Sequence, residues 1–264
     1  MISIVISTRK DEASLKTLSD NINKTIGVTY EIIYIRNEGQ YSLCEAYNIG
    51  IKKSQYNYFC FLHDDILFKS VDWGKRLSDL MEKDKSIGLI GAAGTKFKST
   101  YPSGWGQSPY LSKFNRGHIF SKLTGQSENY FNFDNNFPQN EIDDVVCVDG
   151  VLLFTKKEVL QVCKFDETML TNFHGYDIDF SLQVYFNSYR VLVDRNLLLT
   201  HHSGGNYSKQ YTLANRLIVK KWRSKLPVAT NDTNLRFLDI KVLDLKNWFH
   251  FLFAALKRKI HILK

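Results

Sequence analysis

Short apolar runs alternate with amphipathic segments along the first third of the chain. Four runs rich in β-branched and aromatic residues predict buried strands, at residues 2–7, 30–35, 58–62 and 87–90. The segments between them carry apolar residues at helical spacing and predict helices at residues 11–23, 42–53 and 71–83. This alternation is typical of an α/β fold, in which helices cover both faces of a mainly parallel, Rossmann-like sheet.

Polar residues or glycines follow each predicted strand, at residues 7–9, 36–38, 63–65 and 91–94. The carboxyl ends of parallel strands meet at one edge of a sheet, and ligands of such folds bind there. We therefore predict a ligand site at this edge. The alternative is that these residues are polar only because strand ends reach the surface.

The middle of the chain has a weaker pattern. Residues 95–144 are rich in Gly, Ser, Asn and aromatic residues without clear periodicity, which predicts functional loops or a lid. A strand over residues 145–155 is interrupted at Asp149 and Gly150. The remaining predicted elements are helices at 156–163 and 176–187 and short strands at 191–193 and 197–199.

Composition narrows the class of protein. With 264 residues, 44% of them apolar and 23% charged, the chain is neither disordered nor collagenous. Its four cysteines form no CxxC pair and lie in apolar or helical segments, which predicts buried thiols in a reducing compartment. No secretory signal and no 18-residue apolar window occurs, so we expect a cytoplasmic protein, or one at the inner face of the membrane.

The net charge of +8 suits a phosphate-bearing ligand, an anionic membrane surface or nucleic acid. No nucleic-acid recognition motif is visible, so we do not expect nucleic acid as a partner. The C-terminal segment 243–264 combines large apolar side chains with a basic cluster at Lys257, Arg258, Lys259 and Lys264. It predicts either a helix lying on anionic lipid or a helix packed on the domain or in a dimer interface.

Three motifs carry candidate chemistry. His63, Asp64 and Asp65 directly follow a buried strand, where carboxylates suit Mg²⁺ or Mn²⁺, or else serve only a turn or helix cap. Asp177 and Asp179 begin a predicted helix, which by itself favours acidic residues. Lying about 200° apart around the helix axis, they are expected to divide their roles, one facing the cleft as a general base and the other capping or pairing.

The third motif is THHSGG at residues 200–205, after an apolar strand. An imidazole from this motif would complete the coordination of a metal ion that Asp65 also binds. The alternative is a solvated loop.

Together these segments resemble a known family. YEIIYIRNE, AYNIGIKKS, FLHDDI, VDGVLLF, FDETMLTNFHGYDIDF and THHSGG follow in the order found in glycosyltransferases of the GT-A fold and family-2 type. The chain is most similar to a subgroup with HxD in place of the DxD metal motif. The resemblance covers about residues 2–205. It implies a GT-A domain at 1–209, with variable acceptor-side loops at 95–144, and a basic helical C-terminal extension at 210–264.

The resemblance also implies residue roles. The nucleotide would lie against Ser7, Arg9, Arg36, Asn37, Glu38, Asn48, His63 and Asp64. Asp149 and Gly150 would line the sugar and acceptor pocket, and Asp65 with His201, or His202 as the fallback, would bind the metal. Asp177 would be the general base, with Tyr176 in the place of the family's glutamate.

The implied reaction moves a sugar from a nucleotide-diphosphate donor to a hydroxyl acceptor with inversion and with Mn²⁺ or Mg²⁺ as cofactor. The acceptor would be a glycan or a lipid-linked saccharide. Two other classes stay open: a non-catalytic module that binds sugar nucleotides, and a metal-dependent phosphohydrolase.

Overall fold

A computed structural model of the chain describes residues 1–106, 109–122, 127–132, 141–203 and 208–262, apart from the side chains of 131–132 and 256–262. Its strands are β1 Ile2–Thr8, β2 Tyr30–Arg36, β3 Tyr58–Leu62, β4 Ile66–Phe68, β5 Ile87–Gly91, β6 Ala93–Thr95, β7 Phe97–Lys98, β8 Asn115–Ser121, β9 Asn129–Asn132, β10 Ile142–Val145, β11 Cys147–Val148, β12 Leu152–Lys156, β13 Arg190–Asp194, β14 Leu199–His201 and β15 Val228–Ala229. Its α-helices are α1 Glu12–Thr25, α2 Leu43–Lys53, α3 Trp73–Lys83, α4 Lys157–Val162, α5 Tyr176–Phe186, α6 Lys209–Trp222 and α7 Phe237–Ile262.

The central sheet has seven strands in the order β10-β13-β5-β12-β3-β1-β2. The four strands predicted from the N-terminal pattern run parallel, as does β13, which pairs with β5. Strand β12 is inserted between β3 and β5 and is antiparallel to both, and β10 is antiparallel to β13. The sheet is therefore mainly parallel but mixed.

Helices cover both faces of this sheet, as the alternation predicts. Within β1, Ile4 and Ile6 pack on one side with α1 and α3, while Val5 packs on the other with α2, α4 and α5. Side chains alternate across a strand, so a strand buried on both faces needs a continuous apolar run. The four cysteines are buried free thiols within this core.

Residues 95–144 contain more regular structure than the expected loops. Strands β8 and β9 of this segment belong to a second sheet, in the order β11-β6-β8-β14-β4 with β9 beside β8, while β7 pairs with β15 and β10 lies in the central sheet. Strands of two to seven residues are too short for a periodic sequence pattern to reveal. Strands β4 and β6 of this second sheet follow directly after β3 and β5, so the sheet begins where these central strands end.

Helix α6 packs on the main core. Ala214 and Ile218 are buried in it, and both Lys221 and Trp222 donate hydrogen bonds to the buried Asp179. A boundary at residue 209 would divide this packed unit. We propose that the α/β domain extends through α6.

Helix α7 has one packed face and one open face. On the packed face, Asp244 accepts hydrogen bonds from Ser99 and Thr100, and Phe251 stacks on Tyr101 with ring centroids 4.0 Å apart. On the open face, large apolar side chains are exposed: Leu238, Val242, Leu245, Phe249, Leu252 and Phe253. The side chains of Lys257, Arg258, Lys259 and Lys264 lie outside the described residues. Packing on the domain is thus shown, and it leaves a second face free.

Among the described residues, no helix combines the length and apolar character needed to cross a bilayer.

Candidate functional site

Two histidines and one aspartate meet at the carboxyl edge of the central sheet. Nε2 of His201 lies 3.2 Å from Oδ1 of Asp65, and Nδ1 of His63 lies 3.9 Å from the same oxygen. His63 Nδ1 is also 3.4 Å from His201 Nε2. One potential ligand atom from each residue lies within 4.8 Å of the other two, so a single metal ion can contact all three. We call these residues the His-Asp-His cluster.

Strand pairing explains the meeting. β3 ends at Leu62 and β4 begins at Ile66, which leaves His63 and Asp65 in the turn between them. β14 pairs antiparallel with β4, and the register sets His201 opposite Ile66. The cluster is therefore built by a sheet register and needs no movement of a loop.

Burial and the neighbouring groups shift the pKa values of the three cluster residues in different directions. Burial, and then the nearby His201, lower the pKa of His63. Burial alone would raise the pKa of Asp65, but the hydrogen bond and charge of His201 outweigh it and lower that pKa. For His201, burial is in turn outweighed by Asp65, which raises the pKa of the imidazole. The shifts at Asp65 and His63 favour the ionised carboxylate and the neutral imidazole that metal ligation requires, whereas the raised pKa of His201 favours an imidazolium, which must release its proton when a metal binds.

The other nitrogen of His63 contacts a buried phenol. Nε2 lies 2.7 Å from the hydroxyl of Tyr176, which also donates to the carbonyl of Gly150 at 3.0 Å. Glycine is needed at position 150, because a Cβ there would lie 2.2 Å from the tyrosine oxygen. Gly150 thus contacts the cluster through Tyr176.

Asp177 follows Tyr176 on α5 and faces a second carboxylate. Burial raises the pKa of Asp177 to about 7, and the charge of Asp149 adds to this, while backbone hydrogen bonds oppose it. Asp149 is itself held by Trp105, whose Nε1 donates to Oδ2 at 2.7 Å, and by the N–H of Val151. A carboxyl group with a pKa near neutrality is suited to accept a proton.

Asp179 has the separate role that the helix geometry predicts. It is 1% exposed and accepts hydrogen bonds from Gln183, Lys221 and Trp222, each at 2.8 Å. Its carboxylate therefore anchors α6 to α5.

The residues expected at the nucleotide lie along the ends of β1, β2 and β3. The amide of Asn37 donates to Ser7 Oγ at 3.1 Å and its oxygen accepts from the N–H groups of Gly39 and Tyr41, so Asn37 shapes this turn. Arg9, Arg36 and Glu38 are exposed, and Arg36 pairs with Glu38.

Asp64 lies at the same edge but has different partners from Asp65. It accepts a hydrogen bond from Thr8 at 2.5 Å and pairs with Lys10 at 3.3 Å. Asp64 thus ties β1 to the turn after β3, apart from the His-Asp-His cluster.

Two expected residues point elsewhere. The amide of Asn48 donates to the carbonyl of Phe165 and to Glu167, so it joins α2 to the chain before α5. His202 is exposed, and only its backbone N–H contacts Asp65. The side chain that reaches Asp65 is that of His201, the last residue of β14, which the pairing with β4 sets opposite Ile66.

The structure adds residues that the sequence did not single out. Phe173 is 55% exposed with its ring 5.8 Å from that of His63, and Ser203 lies 3.0 Å from His201 Nε2. Trp105 comes from the segment without periodicity, which gave no signal. Phe173 is the first residue of the segment FHGYDIDF, which also contains Asp177. Its place in this segment was the one feature of the sequence that could have pointed to it.

This mainly parallel sheet, covered by helices and carrying its polar residues at one edge, has the GT-A fold of glycosyltransferases. A profile described as "Glycosyltransferase like family" matches residues 2–222. The chain belongs to this family. Comparison with curated protein sequences gives no match.

One solved structure supports the fold. The chain is similar to a structure titled "Crystal structure of GalNAc-T7 with UDP, GalNAc and Mn2+", with a TM-score of 0.58 and 13% identity over 85% of this chain. The match spans about half, 49%, of that protein's chain. A second structure, "Crystal Structure of A197 from STIV", gives a TM-score of 0.41 at 14% identity, covering 77% of this chain and 86% of the other.

Proposed function

We propose that the protein transfers a sugar from a nucleotide-diphosphate donor to a hydroxyl acceptor, with inversion, in a reaction that depends on Mn²⁺ or Mg²⁺. The observation that carries this proposal is the His-Asp-His cluster, whose His63 contacts Tyr176, the neighbour of Asp177 on α5. A candidate metal site and a candidate base close to it are the two groups that such a transfer needs.

The donor set fits a divalent cation. His63, Asp65 and His201 would hold it, and two imidazole nitrogens beside one carboxylate favour a transition metal such as Mn²⁺ over Mg²⁺, which prefers oxygen ligands. When bound, a divalent ion stabilises the negative charge that develops on the departing diphosphate. The structure named for UDP, GalNAc and Mn²⁺ has the same fold, which supports this choice by analogy.

Asp177 acts as the base in this proposal. It takes the proton from the acceptor hydroxyl while that oxygen bonds to the anomeric carbon, and the carbon–oxygen bond to the diphosphate breaks with its electron pair leaving on the diphosphate. Attack from the face opposite the leaving group inverts the anomeric centre. A pKa of about 7 leaves a useful fraction of Asp177 ionised at neutral pH and still basic enough to accept a proton.

The nucleotide lies, in this proposal, along the ends of β1 to β3. Its proposed contacts are Ser7, Arg9, Arg36, Asn37, Glu38 and Asp64, with Asp149 and Gly150 beside the sugar and acceptor. His63, which the resemblance puts at the nucleotide, is proposed as a metal ligand instead, because its Nε2 is engaged by Tyr176 and its Nδ1 faces Asp65 and His201. The exposed cation Arg9 and the nearby Lys10 suit a diphosphate. Asn48 contributes only through the position of α2, because its amide is engaged by Glu167.

The acceptor is proposed to be a glycan or a lipid-linked saccharide, handled at the cytoplasmic face of a membrane. Segment 99–105 supports this, because Ser99, Thr100 and Tyr101 contact α7 while Trp105 contacts Asp149 beside the candidate base. Segment 99–105 thus connects α7 to a residue that we propose lines the acceptor pocket. We propose peripheral membrane contact through residues 243–264 of that helix.

The open face of α7 suits an anionic bilayer. Exposed Lys241 and Lys246 flank the apolar residues, and a groove of about 540 Å³ lined partly by Tyr110, Phe249 and Phe253 opens beside them. Exposed aromatic and aliphatic side chains next to lysines are typical of helices that lie in a lipid interface.

A donor panel tests the transferase proposal. The protein is mixed with UDP-, GDP- and TDP-sugars, with Mn²⁺, with Mg²⁺ or with chelator, and the release of nucleoside diphosphate is measured. We expect release with one base and a divalent ion, and much less after Asp177→Asn. Thermal stabilisation by a nucleotide sugar without release under any acceptor condition would indicate a binding module instead.

A further inference from the structure

Gly150, Tyr176 and His63 are joined by two short contacts, of 3.0 and 2.7 Å, which the transfer chemistry above does not use. We propose that Tyr176 is a positioning residue, which fixes the tautomer and ring orientation of His63 so that Nδ1 serves as the third metal ligand beside Asp65 and His201. This inference rests on the proposed metal site.

Hydrogen counting assigns the tautomer. The phenol of Tyr176 has one proton, and the carbonyl of Gly150, 3.0 Å away, can only accept it. The same oxygen lies 2.7 Å from His63 Nε2, so for both contacts to be hydrogen bonds the imidazole must donate from Nε2. A neutral imidazole carries one ring proton, and Nδ1 is then left with its lone pair.

That lone pair lies on the side of the other two ligands. Nδ1 is 3.4 Å from Nε2 of His201 and 3.9 Å from Oδ1 of Asp65. A ring nitrogen that ligates a metal usually has its opposite nitrogen bonded to a carboxylate, a carbonyl or water. Here a buried phenol, itself held by a backbone carbonyl, takes that position.

The surroundings hold the phenol in place. Tyr176 is 5% exposed, and Gly150 leaves space that any Cβ would fill, with 2.5 Å to the ring carbon Cζ. Gly175, with φ of +86°, begins α5 immediately before Tyr176, a backbone conformation that favours glycine. Two glycines thus allow the close approach of the tyrosine to the turn at residue 150.

Tyr47 offers a matched control. It is also fully buried, and its ring contacts that of Tyr176 edge-on at 5.6 Å. Its hydroxyl has no hydrogen-bond partner among the described residues. Tyr47→Phe therefore removes a buried phenolic oxygen next to Tyr176 without removing a bond to His63.

Manganese binding to the full chain, without nucleotide or acceptor, tests the inference. Free Mn²⁺ is measured by electron paramagnetic resonance for the wild type, Tyr176→Phe, Tyr47→Phe and His63→Ala. We expect Tyr176→Phe to weaken Mn²⁺ binding by about 10- to 100-fold, the usual effect of losing such an outer partner, and Tyr47→Phe to leave it within about twofold. His63→Ala should weaken binding at least as much as Tyr176→Phe.

Pulsed electron paramagnetic resonance of the bound Mn²⁺ adds a readout that a general packing defect would not change. The hyperfine coupling between Mn²⁺ and imidazole nitrogens should indicate two imidazoles in the wild type and one in His63→Ala, and it should be altered in Tyr176→Phe. Wild-type affinity and coupling in Tyr176→Phe would overturn the inference even if Asp65→Asn abolishes binding. Failure of the wild type to bind Mn²⁺ would overturn it as well, whereas the donor panel separately decides whether sugar transfer occurs.

Discussion

The Oδ1 atom of Asp65 lies 3.2 Å from Nε2 of His201, although the two residues come from different halves of the chain. The pairing of β14 with β4 holds them at this distance, since His201 is opposite Ile66 in the register. His202 follows the last residue of β14, its backbone N–H donates to the carbonyl of Asp65, and its side chain is exposed. The two adjacent histidines are therefore expected to differ sharply in function.

His201→Ala should abolish metal-dependent release of nucleoside diphosphate, with a decrease of about 100-fold or more, because it removes a ligand of the proposed ion. His202→Ala is the control and should retain activity within about threefold, since its exposed imidazole contacts no cluster residue. Activity at saturating donor is measured across a Mn²⁺ titration. Equal losses in both variants would contradict the assignment of His201.

Asp177→Asn should reduce turnover by about 10²- to 10⁴-fold, the usual contribution of a general base, while donor affinity changes little. In the wild type, turnover should rise with pH through about pH 7, because the base works only when it is ionised and burial raises its pKa to about that value. Residual turnover in Asp177→Asn should lose this rise. A pH profile that is identical in both proteins would remove Asp177 from the role of base.

The same carboxyl group should make stability depend on pH. Its pKa is about 7 in the folded state and about 3.9 in an unfolded chain, so the folded state holds more protons between these values. Stability from this group is then complete below about pH 4 and is lost as pH rises through 7. Asp177→Asn removes the charge.

We therefore expect the Tm of Asp177→Asn to exceed that of the wild type by more at pH 8 than at pH 4. Calorimetry at the two pH values measures the difference, and pH effects of other groups cancel between the proteins. If the Tm difference between Asp177→Asn and the wild type is the same at pH 4 and pH 8, the pKa of Asp177 is not raised in the folded state.

Paired substitution of Phe249→Ser and Phe253→Ser should lower binding to vesicles that contain phosphatidylglycerol, because the variant loses apolar surface from the open face of α7. Val162→Ser, which changes an exposed apolar residue on α4, is the matched control and should float with vesicles like the wild type. Flotation is measured at low and high salt and with neutral phosphatidylcholine. If the paired variant binds as the wild type does, or if no protein binds anionic vesicles, the membrane proposal is wrong.

Much of the fold could be predicted because its signals are local. The strands β1 and β3 are continuous apolar runs bounded by polar residues, and the order of elements predicts a sheet with helices on both sides. A local pattern does not, however, predict the direction of a strand or its place in the sheet. Strand β12 is as apolar as its neighbours, so nothing in its composition shows that it lies antiparallel between β3 and β5.

The candidate site, like the fold, was predictable only in part from the sequence. The sequence by itself determined which side chains stand at strand ends and helix starts, and hence that His63, Asp65 and Asp177 are available for chemistry, because these positions follow from the few residues around them. Only the tertiary structure decided that His201 and not His202 meets Asp65, that Asn48 bonds Glu167, and that Tyr176 lies between Gly150 and His63. Those outcomes depend on strand register and on the packing of distant segments, which are set by the whole core and leave no trace in the residues nearby.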